Sequence, residues 1–201
     1  TTAAGFYVFD ASGQLILRHD AYDIKDIGHR RILYGRDIFS VGKGQYLIFF
    51  NEKGMALYDH HVRKYTELDP HDTTWQAFAH PNELPTDHWV LKQQLNDEEF
   101  IFIPSTSKTI IYYHHGLKRR IASPIPEDIH YAFNWASKVA VLNDTMLVIN
   151  CRTKGFYLFH LNRATGHITY DKTRYLPEYE ILYPFVDKDN RIWAGTTQGV
   201  F

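Results

Sequence analysis

The chain has 201 residues, 44% hydrophobic and 22% charged, a balance that provides for a folded core and excludes a disordered tail. Its 22 basic and 23 acidic residues leave a formal net charge of -1, so no net field draws it to nucleic acid or to an anionic membrane surface, and partners must be recognised by local geometry. An aromatic content of 15% suits pleated strands better than helix interiors, and the one cysteine, Cys151, allows neither an intrachain disulfide nor a cysteine-based metal set. No apolar run approaches the ~20 residues of a membrane span. The start at Thr1, without a signal-peptide pattern, leads to the expectation of an excised or processed piece of a longer protein.

In chain order, the first apolar aromatic run is GFYVFD at 5–10, with a partner strand expected at 14–18. A turn sequence VGKGQ at Val41 leads into YLIFF, centred on Ile48; GMALYD at 54–59 and a strand at 63–68 follow. The order then recurs. LNDEE at Leu95 precedes FIFI around Phe102, KTIIYYH at 108–114 and a strand at 117–122; LNDTM at Leu142 precedes MLVIN around Ile149, GFYLFH at 155–160 and a strand at 167–172. Finally VDKDNR at Val186 leads into RIWAG around Trp193, and the sequence stops inside GVF. The anchors Gly5, Gly54, Lys108, Gly155 and Gly199 recur at spacings of roughly 44 to 54 residues, a blade-length period. Gly, Asn and Asp in the turn slots tolerate the positive φ of tight hairpins.

Four antiparallel strands per repeat predict an all-β fold, a β-propeller of about four blades, with strand groups near 1–18, 37–68, 88–122, 138–172 and 182–201 in a single segment spanning 1–201. Tandem sandwich domains would need ~100 residues per unit. Little or no helix is expected, because no segment sustains apolar positions at helical spacing. The N-terminus would supply a third and fourth strand and the C-terminus a first and second, so that this piece of a larger propeller closes with, or buries its ends against, a second copy.

Several residues invite chemistry. His60-His61 and His114-His115 take equivalent places, six and seven residues past their anchors, but neighbours on extended chain diverge, so they read as solvated hairpin residues and no metal site is expected. Glu98 and Glu99 diverge for the same reason and do not form an acid–base pair; no catalytic residue, phosphate loop or cofactor motif is found, and the segment is expected not to be an enzyme. Asn143-Asp144-Thr145 is formally a glycosylation sequon but fills a turn slot. Trp193 is expected to pack between blades. Ligand contacts belong on the loops from second to third strand and on the connectors between blades, which emerge at one end of a propeller. Arg36, Trp75, Tyr131, Trp135 and Arg152 are the candidate ligand-binding residues there, with aromatic faces to stack on sugar rings and cations to bond hydroxyls.

The run DKDNRIWAGTTQGV at 187–200 resembles the two-component regulator propeller repeat: an acidic turn, an apolar residue, Trp, a small pair ending in Gly, Thr, then Gly and an apolar residue. Asn190 stands where that family usually has Gly, and the other repeats replace the Trp-x-Gly run. The resemblance implies the periplasmic sensor region of a membrane-anchored hybrid histidine kinase of Bacteroidetes, working as a homodimer and responding to an oligosaccharide or other small nutrient, with no nucleic acid bound by this segment. Two other classes remain open: a protein–protein scaffold propeller, and an accessory propeller of a secreted carbohydrate-active enzyme.

Overall fold

The computed structural model describes residues 5–20, 35–50, 55–69, 90–104, 108–133, 136–151 and 154–201. The chain divides into two compact units, residues 1–83 and 84–201. In the first, β1 (Gly5–Phe9) pairs with β2 (Leu15–Asp20), and β3 (Gly35–Ser40), β4 (Gln45–Phe50), β5 (Met55–Asp59) and β6 (Lys64–Leu68) form a four-stranded meander. In the second, β7 (Val90–Gln94), β8 (Glu99–Pro104), β9 (Thr109–His114) and β10 (Arg119–Pro124) make one blade. A second is made by β11 (Ala136–Asn143), β12 (Met146–Cys151), β13 (Phe156–Leu161) and β14 (Ile168–Tyr175), and β15 (Ile181–Val186), β16 (Ile192–Thr196) and β17 (Gly199–Val200) form a three-stranded sheet. Every pairing is antiparallel between consecutive strands, and β7, β11 and β15 lie side by side. These are the blades of a β-propeller, as the repeat predicts. Among the described residues, helix is confined to one 3-10 turn (Glu127–Ile129) and a single α turn, α1 (His130–Phe133).

The apolar runs are continuous because the central strands are covered on both sides. In β12, Leu147 and Ile149 turn to the β7–β10 blade, where they meet Ile101, Ile103, Ile110 and Tyr112, while Val148 turns the other way onto Ile181 and Ala194. All three β12 residues are essentially inaccessible to water. Burying each such side chain stabilises the stack by about 1.5–3 kcal/mol. In the first unit, Val8 and Leu17 of the β1–β2 ribbon pack on Ile48, Ala56 and Tyr58.

The turn slots work through their side chains. Asn96 Oδ1 accepts the amides of Glu98 and Glu99 at 2.9 Å each, Asn143 Oδ1 that of Thr145 at 2.9 Å, and Asp187 Oδ1 those of Asp189 and Arg191 at 2.9 and 3.0 Å. Asn190 has φ 59°, a left-handed conformation that glycine adopts freely and asparagine tolerates. The hairpin between β13 and β14 turns on Gly166 at φ +77°, and a Cβ there would fall 2.7 Å from Tyr112 Cδ1. G166A is therefore expected to cost about 1–3 kcal/mol, from backbone strain and a clash with the neighbouring blade, read as a lower urea midpoint.

Two sequence expectations shift by one residue. Ile48 pairs with Ala56 and Ile149 with Tyr157, each partner two residues past its anchor. The residue two past Gly199 is Phe201, and it exchanges backbone hydrogen bonds with Ala194 (2.9 and 3.1 Å), not with Trp193. The loop before Gly199 is one residue shorter than in the preceding blade, and a shift of one residue sends a side chain to the opposite face. Trp193 therefore lies opposite Ala194, 43% exposed, and does not pack between the described blades. In the β7–β10 blade, Phe102 pairs with Ile111, so the true anchor is Thr109 and not Lys108. His115 thus matches His60, and His114 ends a strand opposite Arg119, as Asp59 ends one opposite Lys64. His60 and His61 are exposed, but His114 and His115 are half-buried.

Candidate functional site

Each blade has a hairpin end and a connector end. The hairpin end holds the first-to-second and third-to-fourth turns; the connector end holds the second-to-third loops and the passage to the next blade. Function was expected at the second of these.

Between β10 and β11 the connector is built around three apolar residues at helical spacing. Pro124 and Pro126 end the strand, since neither offers an amide to continue a ladder. Ile125 stays tied to the blade by its amide, which donates to the Lys108 carbonyl at 2.8 Å. The chain then coils through Glu127–Ile129 into α1, and His130 Nε2 closes the coil 2.5 Å from the Ile125 carbonyl. Ile125, Ile129 and Phe133, four residues apart, are all buried in the core between the β7–β10 and β11–β14 blades. Phe133 is the wedge: its ring sits 5.3 Å from that of Phe159 and 5.9 Å from that of Tyr157. With that face anchored, Tyr131 points to the other side and is 73% exposed. An exposed phenol on a pinned turn offers a rigid stacking surface with a polar tip, at little conformational cost on binding.

The next connector, between β14 and β15, is fastened by backbone. Tyr179 accepts the Gly155 amide at 2.8 Å, and its ring lies 4.4 Å from that of Phe201. Arg174 clamps the Lys154 carbonyl through Nε and Nη2 at 2.9 and 2.6 Å. Asn150 Nδ2 donates to the Ile181 carbonyl at 2.8 Å from a fully buried position, while its Oδ1 has no hydrogen-bond partner. Asn150 is a polar group of this end that the sequence did not mark for function, although a lone amide closing the apolar run MLVIN was an available signal, whereas His130 lies among the connector residues where function was expected.

Of the five candidate ligand residues, Tyr131 is placed as described. Arg36 lies in β3 with its backbone alone described, and Trp75, Trp135 and Arg152 lie outside the described residues. Among the described residues no group of three or more His, Cys, Asp or Glu side chains is arranged to hold a metal ion, and no helix is long and apolar enough to cross a membrane.

The hairpin end carries a buried charge. Glu98 and Glu99 diverge: Glu98 faces solvent near His114 Nε2 at 3.6 Å, and Glu99 is 7% exposed. Glu99 Oε1 accepts the Tyr112 hydroxyl, and Oε2 accepts Asn96 Nδ2 and Arg163 Nη1. Arg163 belongs to the next blade's hairpin, and Arg119 reaches the carbonyls of Ala164 and Arg163 there at 2.9 and 3.0 Å. Burial alone would push the Glu99 carboxyl up, but the bonds from Tyr112 and Asn96 and the Arg163 charge outweigh it and hold the group below its usual range. Burial and the bond to Glu99 push the Tyr112 phenol up to about 12. The arrangement locks two blades together and leaves the carboxylate fully engaged.

No protein-family model matches the chain, and no curated protein sequence matches it. Solved structures do. The chain is similar over 100% of its length to the extracellular domain of a protein described as a one component system of B. thetaiotaomicron, with 13% identity and a TM-score of 0.61, covering 25% of that structure. It is similar over 99% of its length to the extracellular domain of a hybrid two component system of the same organism, with 13% identity and a TM-score of 0.55, covering 26% of that chain. The WD40 β-propeller domain of Doa1 matches over 82% of the chain, with 12% identity and a TM-score of 0.51, covering 48% of that domain. The chain thus spans about a quarter of the bacterial structures it resembles, and the shared property is the propeller fold.

Proposed function

We propose that this chain is a ligand-reading segment of a periplasmic sensor propeller, part of a membrane-anchored two-component receptor. One combined observation carries the reading. The run at 187–200 has the residue pattern of a two-component propeller repeat, and the blades match extracellular domains of B. thetaiotaomicron signalling systems over essentially the whole chain. The ligand is a small nutrient such as an oligosaccharide, bound at the connector end, where Tyr131 supplies a stacking face; Trp75, Trp135, Arg36 and Arg152 are the further candidates. Catalysis is not part of the proposed role. The signal passes to the cytoplasm through parts beyond this sequence and through a change in the relation of paired subunits.

Two measurements test this. The parent gene is expected to encode a membrane span and histidine-kinase motifs; their absence would remove the receptor reading. Calorimetric titration with an oligosaccharide panel is expected to find a ligand whose affinity falls about tenfold in Tyr131→Ala, as loss of one aromatic stacking contact implies. Exposed as it is, the same substitution should leave folding stability within about 0.5 kcal/mol. Unchanged affinity for a confirmed ligand would take Tyr131 out of the site.

A further inference from the structure

Asn150 is a polar residue in a slot that other blades fill with carbon. Counting from the equivalence of Ile48, Phe102 and Ile149, it matches Phe49 and Ile103, which are buried as it is. The bond from Nδ2 to the Ile181 carbonyl is the structural use of the amide, and it leaves Oδ1 shut off from water without a partner. A buried acceptor that lacks a donor costs stability, so packing does not account for this oxygen. Lys138 stands beside it. The two residues are opposite one another in the β11–β12 ladder, so their side chains leave the same face of the blade, toward β15. The Lys138 ammonium lies 4.9 Å from the Tyr183 ring centroid, and no carboxylate of the described residues pairs with it. Regular pairing is broken at this level in both inner strands: Ser137 of β11 and Leu182 of β15, the residue after Ile181, are extra residues with no opposite number. Bulges of this kind re-aim side chains beside binding sites.

The two free groups specify what fits them. Oδ1 needs a donor and the ammonium needs an acceptor. A carboxylate offers only acceptors, a ligand ammonium only donors, and a hydrocarbon neither. A chain amide offers both, but its N–H is flanked by carbon on each side and does not reach into a closed slot. A hydroxyl gives and takes hydrogen bonds through one terminal oxygen, and a vicinal pair does so at two neighbouring points. We propose that Asn150 and Lys138 read a vicinal hydroxyl pair of a sugar ring, with Asn150 Oδ1 accepting from one oxygen and the Lys138 ammonium donating to its neighbour. One hydroxyl enters the seam between β12 and β15 while the ring stays outside it, which is the reach that a fully buried oxygen allows. The assignment rests on the saccharide reading above and names the part of the ligand that is recognised. It adds a hydrogen-bonding contact to the stacking face of Tyr131 at the same end of the blades.

Titration of the isotope-labelled chain with the methyl glycosides of glucose, galactose and mannose, followed by nuclear magnetic resonance, tests the proposal. The Asn150 side-chain amide signal, identified by its loss in Asn150→Leu, is expected to shift on binding. Asn150→Leu supplies the apolar residue type of the other blades and should weaken the affinity roughly tenfold; Lys138→Met keeps the stem without the charge and should weaken it roughly fivefold. Monodeoxy glycosides give the readout that a purely structural role would not move. Removal of one hydroxyl should weaken binding to the wild-type chain and leave binding to Asn150→Leu unchanged. Should Asn150→Leu fail to fold, Lys138→Met, at a half-buried position, carries the same comparison. A glycoside that binds the wild type and the variants alike overturns the assignment and leaves the saccharide reading standing. Failure of every glycoside to bind removes both.

Discussion

Phe133→Ala is expected to lower the stability of the 84–201 unit by about 3–4 kcal/mol, the largest single effect among the substitutions considered. Phe133 is 2% exposed and is the last of three anchors that α1 and its flanks drive into the core between two blades. Its removal leaves a cavity bounded by Tyr157 and Phe159, whose shared strand β13 is paired on both sides and cannot collapse inward to fill it. Urea unfolding monitored by circular dichroism should show a lower midpoint with an unchanged slope. Substituting Leu restores much of the volume and should recover more than half of the loss. The same variant separates structure from recognition at the connector end. Tyr131 is two residues away but faces water, so Tyr131→Ala should spare stability, whereas Phe133→Ala should reduce both stability and the order of the turn that presents Tyr131. Equal losses in the two variants would contradict the assignment of one residue to the core and the other to the surface.

The blades were legible because of the way they are packed. A strand covered on both faces needs apolar residues at every position, so YLIFF, FIFI and MLVI stand out as unbroken runs, and the Asx residues of the turns mark where each hairpin reverses. Register was less legible. Counting from a glycine assumes that every loop has the same length, and one missing residue before Gly199 was enough to move Trp193 to the wrong face, while the anchor taken at Lys108 displaced the histidine comparison by one. The turn of helix at 127–133 escaped because Ile125, Ile129 and Phe133 repeat only twice, too short a pattern to separate from a loop. Tyr131 could be named from its place in a connector. The inter-blade tie at Glu99 could not be found, because Tyr112 is 13 residues away and Arg163 is 64, and adjacent glutamates look like surface until the partners are in place.

That tie makes the second large prediction. Glu99→Ala is expected to cost about 2–3 kcal/mol at neutral pH, because it strands the buried Tyr112 hydroxyl and removes the carboxylate partner of Arg163 at a partly buried junction. The figure is set below the 3–5 kcal/mol of a fully enclosed pair because Arg163 keeps 31% of its side-chain surface in water. The effect carries a pH signature whose sign is fixed. With its folded pKa held below that of the unfolded chain, Glu99 binds protons more readily when unfolded, so its contribution is complete above about pH 4.3 and disappears as pH falls through the folded value. Glu99→Gln keeps an oxygen to accept the Tyr112 bond but has no charge to titrate, so it should lose less than Ala at pH 7. The gap between wild type and Glu99→Gln should then hold above the unfolded value and narrow as pH falls below it toward the lowered folded value, as the wild-type carboxylate is neutralised. Urea midpoints for the three proteins across that range provide the reading. Parallel curves would mean that Glu99 is solvated and that the blades are held together by their apolar faces alone.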